Sequence, residues 1–175
     1  MEKRIFRPEE DGFNGVWYPN PSGGSKGVIL MLGDSSEDRM ASCGAKWLHL
    51  RGCHVMAMSP DRKDYGHHNY PLERFGKAIA FMKEQGCEKL GVIGASTTGM
   101  LALLAASYYP DLTLTVALSP SDFVMEGFYQ DGKDGMRERR ETENPQSAGR
   151  AYRCRTCLMP TGIRSTGRRS GEIQR

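Results

Sequence analysis

Ser96 is the residue whose surroundings best fit nucleophilic chemistry. It stands in the run Leu90-Gly-Val-Ile-Gly-Ala-Ser-Thr-Thr-Gly-Met100, where the β-branched pair Val92 and Ile93 breaks at Gly94 and an Ala/Leu-rich stretch begins at once. A strand that turns this sharply into a helix lifts a serine hydroxyl above the edge of a sheet, as a nucleophile elbow does. Glycine suits position 94 because strand, turn and helix converge there too closely for a larger side chain. The usual pattern is Gly-x-Ser-x-Gly; here Thr98 stands at the second glycine position and Gly99 follows one residue later. The competing reading is an ordinary strand-to-helix turn in which Ser96 only caps the helix.

A serine hydroxyl at neutral pH needs a base to take its proton and donors to hold the oxyanion that forms. The expected donors are the backbone N–H of Thr97, at the helix start, and an N–H of Asp34 or Ser35 in the loop after the first buried strand. Ser35 or Ser36 could also cap the helix that follows that loop. The base is harder to find, because His49, His54, His67 and His68 all precede Ser96. His49 falls within a helix and His54 begins a strand, so both are expected to be structural or surface residues. His67 and His68 lie in a loop at the expected rim and are weak candidates, as is Asp122, whose alternative role is to form the turn after Pro120. No complete set of partners can be assembled.

The elements that must position these residues follow from periodicity. Short strands are expected at Ile5–Phe6 and Phe13–Tyr18, forming an antiparallel pair, with the turn cluster Pro19-Asn-Pro-Ser-Gly-Gly-Ser after them. Gly27 to Gly33 is a continuous apolar run, the signature of a parallel strand buried on both faces. Met40, Gly44, Trp47 and Leu48 recur at helical spacing up to Arg51-Gly52, and Cys53–Met58 supplies the next strand. A helix starts near Asn69-Tyr-Pro71, carries the stripe Leu72, Phe75, Ile79 and Met82, and ends at Gln85-Gly86. A strand from Glu88 to Ile93 leads into Ser96. The helix Thr97–Tyr109 is apolar nearly all round and therefore central, and Leu112–Leu118 is a further strand. This alternation predicts an α/β fold, an open and mostly parallel sheet flanked by helices with right-handed crossovers. Ligands of such sheets bind beyond the carboxyl ends of the strands, which places residues 33–37, 59–69, 95–97 and 119–123 on one rim.

Bulk properties set outer bounds. The 175 residues are 38% hydrophobic and 26% charged, which suits one globular domain with a modest core. No apolar run can span a bilayer, and the first residues lack the apolar middle of a signal peptide, so a cytoplasmic location without membrane association is expected. Five cysteines in no framework spacing read as reduced thiols. Cys154-x-x-Cys157 is only half of a zinc site, so neither metal nor cofactor is expected. From residue 144 onward seven arginines face the single acid Glu172, a balance of +6 against −3 for the rest. That stretch has one aromatic, Tyr152, and no binding module, so nucleic acid is not an expected partner. Oligomeric state is not legible.

The segments Gly94-Ala-Ser-Thr-Thr-Gly-Met-Leu-Ala-Leu, Asp61-Arg-Lys-Asp-Tyr-Gly-His-His-Asn-Tyr-Pro-Leu-Glu-Arg-Phe and Ser119-Pro-Ser-Asp-Phe resemble bacterial members of the α/β-hydrolase family formed by acyl-CoA thioester hydrolases and the C-terminal domain of bile acid-CoA:amino acid N-acyltransferases. The resemblance spans about Lys3 to Gly135. It implies the N-terminal half of an α/β-hydrolase fold, Ser96 as nucleophile, the Thr97 N–H as an oxyanion donor and an acyl-CoA thioester substrate. A carboxylesterase related to dienelactone hydrolases would share the fold and act on small esters, and a non-catalytic fragment is the third reading. The family supplies its acid and histidine after further strands, which this sequence does not continue into.

The expected organisation is therefore an incomplete hydrolase domain over residues 1–135 and an Arg-rich tail over 136–175. The tail has no helical or strand period and has the composition of disorder or of an unselected reading frame. Reading Cys154 to Thr166 from one base earlier, permitted codons spell Leu-Pro-Tyr-Leu-Pro-Tyr-Ala-Tyr-Arg-His-Pro-Glu-Tyr-Trp, which resembles the expected continuation of the family. A frameshift between Gly135 and Arg153 is the simplest account, and the missing half would carry much of the substrate pocket.

Overall fold

A computed structural model describes residues 3–33, 35–59, 70–122 and 124. The expectations at Asp34, His67, His68 and over residues 136–175 lie outside the described residues. Ten elements follow one another: β1 (Arg4–Phe6), α1 (Pro8–Asp11), β2 (Gly15–Tyr18), β3 (Lys26–Met31), α2 (Arg39–His49), β4 (Cys53–Met58), α3 (Glu73–Glu84), β5 (Lys89–Ala95), α4 (Thr97–Tyr108) and β6 (Leu112–Leu118). The six strands form one sheet in the order β1-β2-β4-β3-β5-β6. β1 and β2 are antiparallel to each other and β2 is antiparallel to β4, while β4, β3, β5 and β6 run parallel.

The expected α/β architecture is met. The apolar runs form parallel strands because they are buried from both sides: every residue from Gly27 to Met31 and from His54 to Met58 is buried. Three local expectations are corrected. Pro8–Asp11 forms a one-turn helix between β1 and β2, with Pro8 at its first position, where no backbone donor is needed, and Gly12 closing it at φ 76°. β2 begins only at Gly15, so Phe13 precedes the strand even though it is buried in the core. α3 begins at Glu73, later than the proline signal suggested; Pro71 instead lies in the turn before it, where its carbonyl accepts the Arg74 N–H.

Two cores form because the sheet has two faces. On one face Phe6, Phe13, Trp17, Ile29, Met31, Met56 and Met58 pack beneath Tyr70, Phe75, Ile79 and Met82, together with Leu101, Ala102 and Ala105 of α4. On the other, Val28, Leu30 and Val55 pack against Ala45 and Leu48 of α2. Gly44 lets α2 settle on this face, since a Cβ there would stand 2.7 Å from Leu30 Cδ2. Cys87 joins the first core, and burial foremost, with Cys53 nearby, pushes its thiol up to about 11. No helix of the described residues is long and apolar enough to cross a membrane.

Two outcomes follow from this packing. Phe75→Ala, at a fully buried site, should lower unfolding free energy in urea by about 3–5 kcal/mol, whereas Leu50→Ala, 85% exposed, should change it by less than about 0.5 kcal/mol. In native protein at pH 8, a water-soluble alkylating reagent should modify exposed Cys43 and leave buried Cys87 untouched, because the thiolate is the reacting form and Cys87 stays protonated at that pH. Peptide mapping after a timed reaction reads both sites.

Candidate active site

Ser96 follows the last residue of β5 and immediately precedes α4, with φ 55° and ψ −124°, a conformation that L-residues rarely adopt. It occupies the N-cap position, but its side chain makes no capping hydrogen bond. The capping reading of Ser96 is thereby removed: the hydroxyl stands exposed at the apex of the turn. The turn is held from three directions. Ser96 N–H donates to Leu118 O at 2.8 Å, its carbonyl accepts from Gly99 N at 2.9 Å and Met100 N at 3.2 Å, and Ala95 N–H donates to Thr98 Oγ1 at 2.9 Å.

Gly94 is required by space. A Cβ at this position would meet Thr98 O at 2.0 Å and Gly99 N at 2.9 Å, both rigid backbone atoms of the first helical turn. Thr98 fits the second glycine position because its side chain is buried beneath the turn, where its hydroxyl bonds the backbone at the ends of β5 and β3. Gly99 has a separate role: a Cβ there would approach Leu118 O at 3.3 Å and Gly94 O at 3.4 Å, so its absence allows α4 to close on β5 and β6.

Thr97 is the first residue of α4, so its N–H belongs to the helix-start donors that have no carbonyl one turn back within the helix. The second expected donor loop follows β3. Asp34 lies outside the described residues, and Ser35 is exposed, its Oγ accepting the Glu37 N–H at 3.3 Å. Neither Ser35 nor Ser36 caps α2. That role belongs to Asp38, whose carboxylate accepts the Ala41 N–H at 2.7 Å, a charged acceptor at a helix N-terminus being stronger than a hydroxyl. Ser36 is buried instead, with its carbonyl accepting the Tyr18 hydroxyl proton at 3.2 Å. Burial, together with the carboxylates of Glu37 and Asp38, pushes the Tyr18 pKa up, so this donor keeps its proton at neutral pH.

The described histidines lie at the wrong end of the sheet. His54 pairs with Gly27, and Gly27 with Leu90, so His54 sits level with a residue six positions before Ser96, about 20 Å along the strand. His54 is buried, stacked on Trp17 with centroids 5.3 Å apart, and accepts Asn20 N–H at Nδ1 at 3.0 Å. Its Nε2 therefore carries the proton and donates to Gly24 O at 2.9 Å. His49, near the end of α2, has Nε2 3.1 Å from Tyr18 O. Both are structural, as expected. Asp122 is exposed in the segment after β6, on the rim that carries Ser96. Among the described residues no group of His, Cys, Asp and Glu could hold a metal ion.

One polar network had no sequence signal. Arg7 Nη1 donates to Glu37 Oε1 at 2.9 Å and to Asn14 Oδ1 at 3.3 Å, and Asn14 Nδ2 donates to buried Ser59 Oγ at 3.0 Å. It ties the segments after β1, β3 and β4 into one rim through partners 30 and 45 residues apart, a separation no local pattern can encode.

Known proteins bear on this arrangement. Residues 70–147, which include α3, β5, Ser96, α4 and β6, match the model of the BAAT / acyl-CoA thioester hydrolase C-terminal family. No curated protein matches the sequence. Among solved structures, a PEG-bound cold-adapted esterase from an Arctic intertidal metagenomic library is 22% identical with a TM-score of 0.53, covering 65% of this chain and 58% of its own. The α/β hydrolase GrgF from Penicillium sp. sh18 is 20% identical with a TM-score of 0.52 over 68% and 45% of the two chains. Est1E from Butyrivibrio proteoclasticus is 17% identical with a TM-score of 0.50 over 69% and 51%. The chain spans about half the length of these structures, and the fold it shares with them is that of the α/β hydrolases.

The backbone at position 96 supplies a measurable signature. Ser96→Gly should stabilise the folded chain by up to about 1 kcal/mol in urea unfolding, since glycine adopts φ 55° freely and part of the gain is lost to unfolded-state entropy, whereas Ser96→Ala should not. Gly94→Ala should destabilise by about 3 kcal/mol or more, because backbone atoms cannot clear the added methyl.

Proposed function

We propose that this chain, whose residues 70–147 match the BAAT / acyl-CoA thioester hydrolase C-terminal family, carries the nucleophile half of a serine thioesterase or acyltransferase site. The observation that carries the reading is Ser96 itself, held at φ 55° and ψ −124° with an uncapped, exposed hydroxyl at the helix start. Ser96 Oγ attacks the carbonyl carbon of an acyl-CoA thioester and gives up its proton to a base. The tetrahedral oxyanion is held by Thr97 N–H and by an N–H of Asp34 or Ser35, the C–S bond breaks, and water or an amine resolves the acyl-enzyme. No cofactor enters this chemistry.

Turnover by this chain is low on the same reading. The described histidines, His49 and His54, are fixed at the far end of the sheet by their own hydrogen bonds, and His67, His68 and Asp122 remain the weak candidates for base and acid. A serine without its histidine retains only binding and oxyanion stabilisation. In this account the chain passes into a shifted frame somewhere between Gly135 and Arg153, and the family match ends at residue 147, inside that window. The reduced cysteines Cys43, Cys53 and Cys87 fit a cytoplasmic setting. The second reading, a carboxylesterase acting on small esters, is favoured by the likeness to a cold-adapted esterase.

A fluorophosphonate probe tests the nucleophile. Folded protein should be labelled at Ser96, and Ser96→Ala should abolish labelling; a folded chain that stays unlabelled removes the reading and leaves a non-catalytic fragment. Restoring the upstream frame should raise turnover by several orders of magnitude, and comparing acyl-CoA with p-nitrophenyl esters assigns the leaving group. DNA across the junction that encodes no acid and histidine in any frame removes the frameshift account.

A further inference from the structure

We infer that Thr98 is a positioning residue whose hydroxyl serves as a side-chain rung between β3 and β5, holding the two carriers of oxyanion donors at a fixed spacing. The inference rests on Ser96 being the nucleophile. The ladder between these strands ends at the pair Met31 and Gly94. In a parallel ladder the next bond runs from the N–H of Ala95 to the carbonyl of Met31. Here both groups bond one oxygen: Ala95 N–H donates to Thr98 Oγ1 at 2.9 Å, and Thr98 Oγ1 donates to Met31 O at 2.7 Å. Ala95 O lies 2.8 Å from the same hydroxyl, so its single proton has two acceptors, one on each strand end. Thr98 is 4% exposed, which leaves little access for water to replace these bonds.

The position of this rung gives it leverage. From Met31 the chain passes directly through Leu32 and Gly33, the latter at φ 82°, into the loop of Asp34 and Ser35. From Ala95 it passes directly to Ser96 and to the Thr97 N–H. The Thr98 side chain thus ties together, at the strand ends Met31 and Ala95, the two backbone segments that lead into the expected oxyanion donors. Glycine, the ordinary residue at this place in the pattern, has no side chain to make such a tie. Because Thr98 is buried beneath the turn, it acts through the spacing of these donors and does not touch substrate.

The test is saturable fluorophosphonate labelling of the full chain, resolved into a maximal rate and a half-saturating concentration, alongside far-UV circular dichroism and exchange of the Ala95 amide. Thr98→Val and Thr98→Ala should lower the maximal rate about tenfold to a hundredfold with the half-saturating concentration unchanged, and should speed Ala95 exchange. Thr98→Ser keeps the hydroxyl and should return the rate to within about threefold of the parent; it also serves where Thr98→Val does not fold. Folded Thr98→Ala or Thr98→Val protein that labels at the parental maximal rate overturns the inference while Ser96 stands. So does Thr98→Ser protein that labels as slowly as Thr98→Ala. Parent protein that is folded yet unlabelled overturns the Ser96 reading, and this inference with it.

Discussion

The contact on which the rest of the structure depends is the close approach of β5 to the first turn of α4. The backbone of Gly94 lies so near Thr98 that there is no room for even a methyl group, and this crowding forces the chain through a left-handed φ at Ser96. A serine in that conformation cannot fold its hydroxyl back to cap the helix, so the side chain is presented outward. The strain is sustained because neighbours over-determine it: Leu118 O takes the Ser96 N–H, Thr98 Oγ1 takes the Ala95 N–H, and the first helical turn closes on the Ser96 carbonyl. Conformational cost at one residue is offset by bonds at three others.

The sheet then separates polar tasks by end. At the amino ends of the parallel strands, His54 and Asn20 satisfy backbone groups: Asn20 Nδ2 donates to His49 O and Cys53 O, and His54 links Asn20 to Gly24. At the carboxyl ends, Arg7, Asn14, Glu37, Tyr18 and Ser59 brace the loops around Ser96. The two described histidines, His49 and His54, therefore bond main-chain partners at the end of the sheet away from Ser96.

The sheet is also unevenly covered. α3 and α4 lie over one face, whereas α2 packs on β3 and β4 of the other. Ile93 pairs with Val116, Gly91 with Leu114 and Ala95 with Leu118, so these residues share the α2 face beyond the reach of that helix. Leu114 and Leu118 are 60% and 51% exposed in consequence. Parallel sheets bury both faces, and the structural relatives are about twice as long as this chain's matching region, which accords with an α/β-hydrolase sheet whose covering is incomplete at β6 among the described residues.

Much of the fold was legible because it is written in local patterns. The apolar runs at Gly27–Met31 and Cys53–Met58, the helical stripe Phe75, Ile79 and Met82, and the strand Leu112–Leu118 each announced their element, and Gly94-x-Ser96 announced the turn. The helix Pro8–Asp11 was not legible, being too short for a period to register. What the sequence determined by itself was the alternation of strands and helices and the sharp turn that sets Ser96 at one strand end, since both depend on neighbours a few residues apart. Tertiary structure alone decided that Asp38 and not Ser35 or Ser36 caps α2, that His54 is consumed by Asn20 and Gly24, and that Thr98 reaches Met31, 67 residues away, because hydrogen bonds between distant segments exist only once packing has brought their donors and acceptors together.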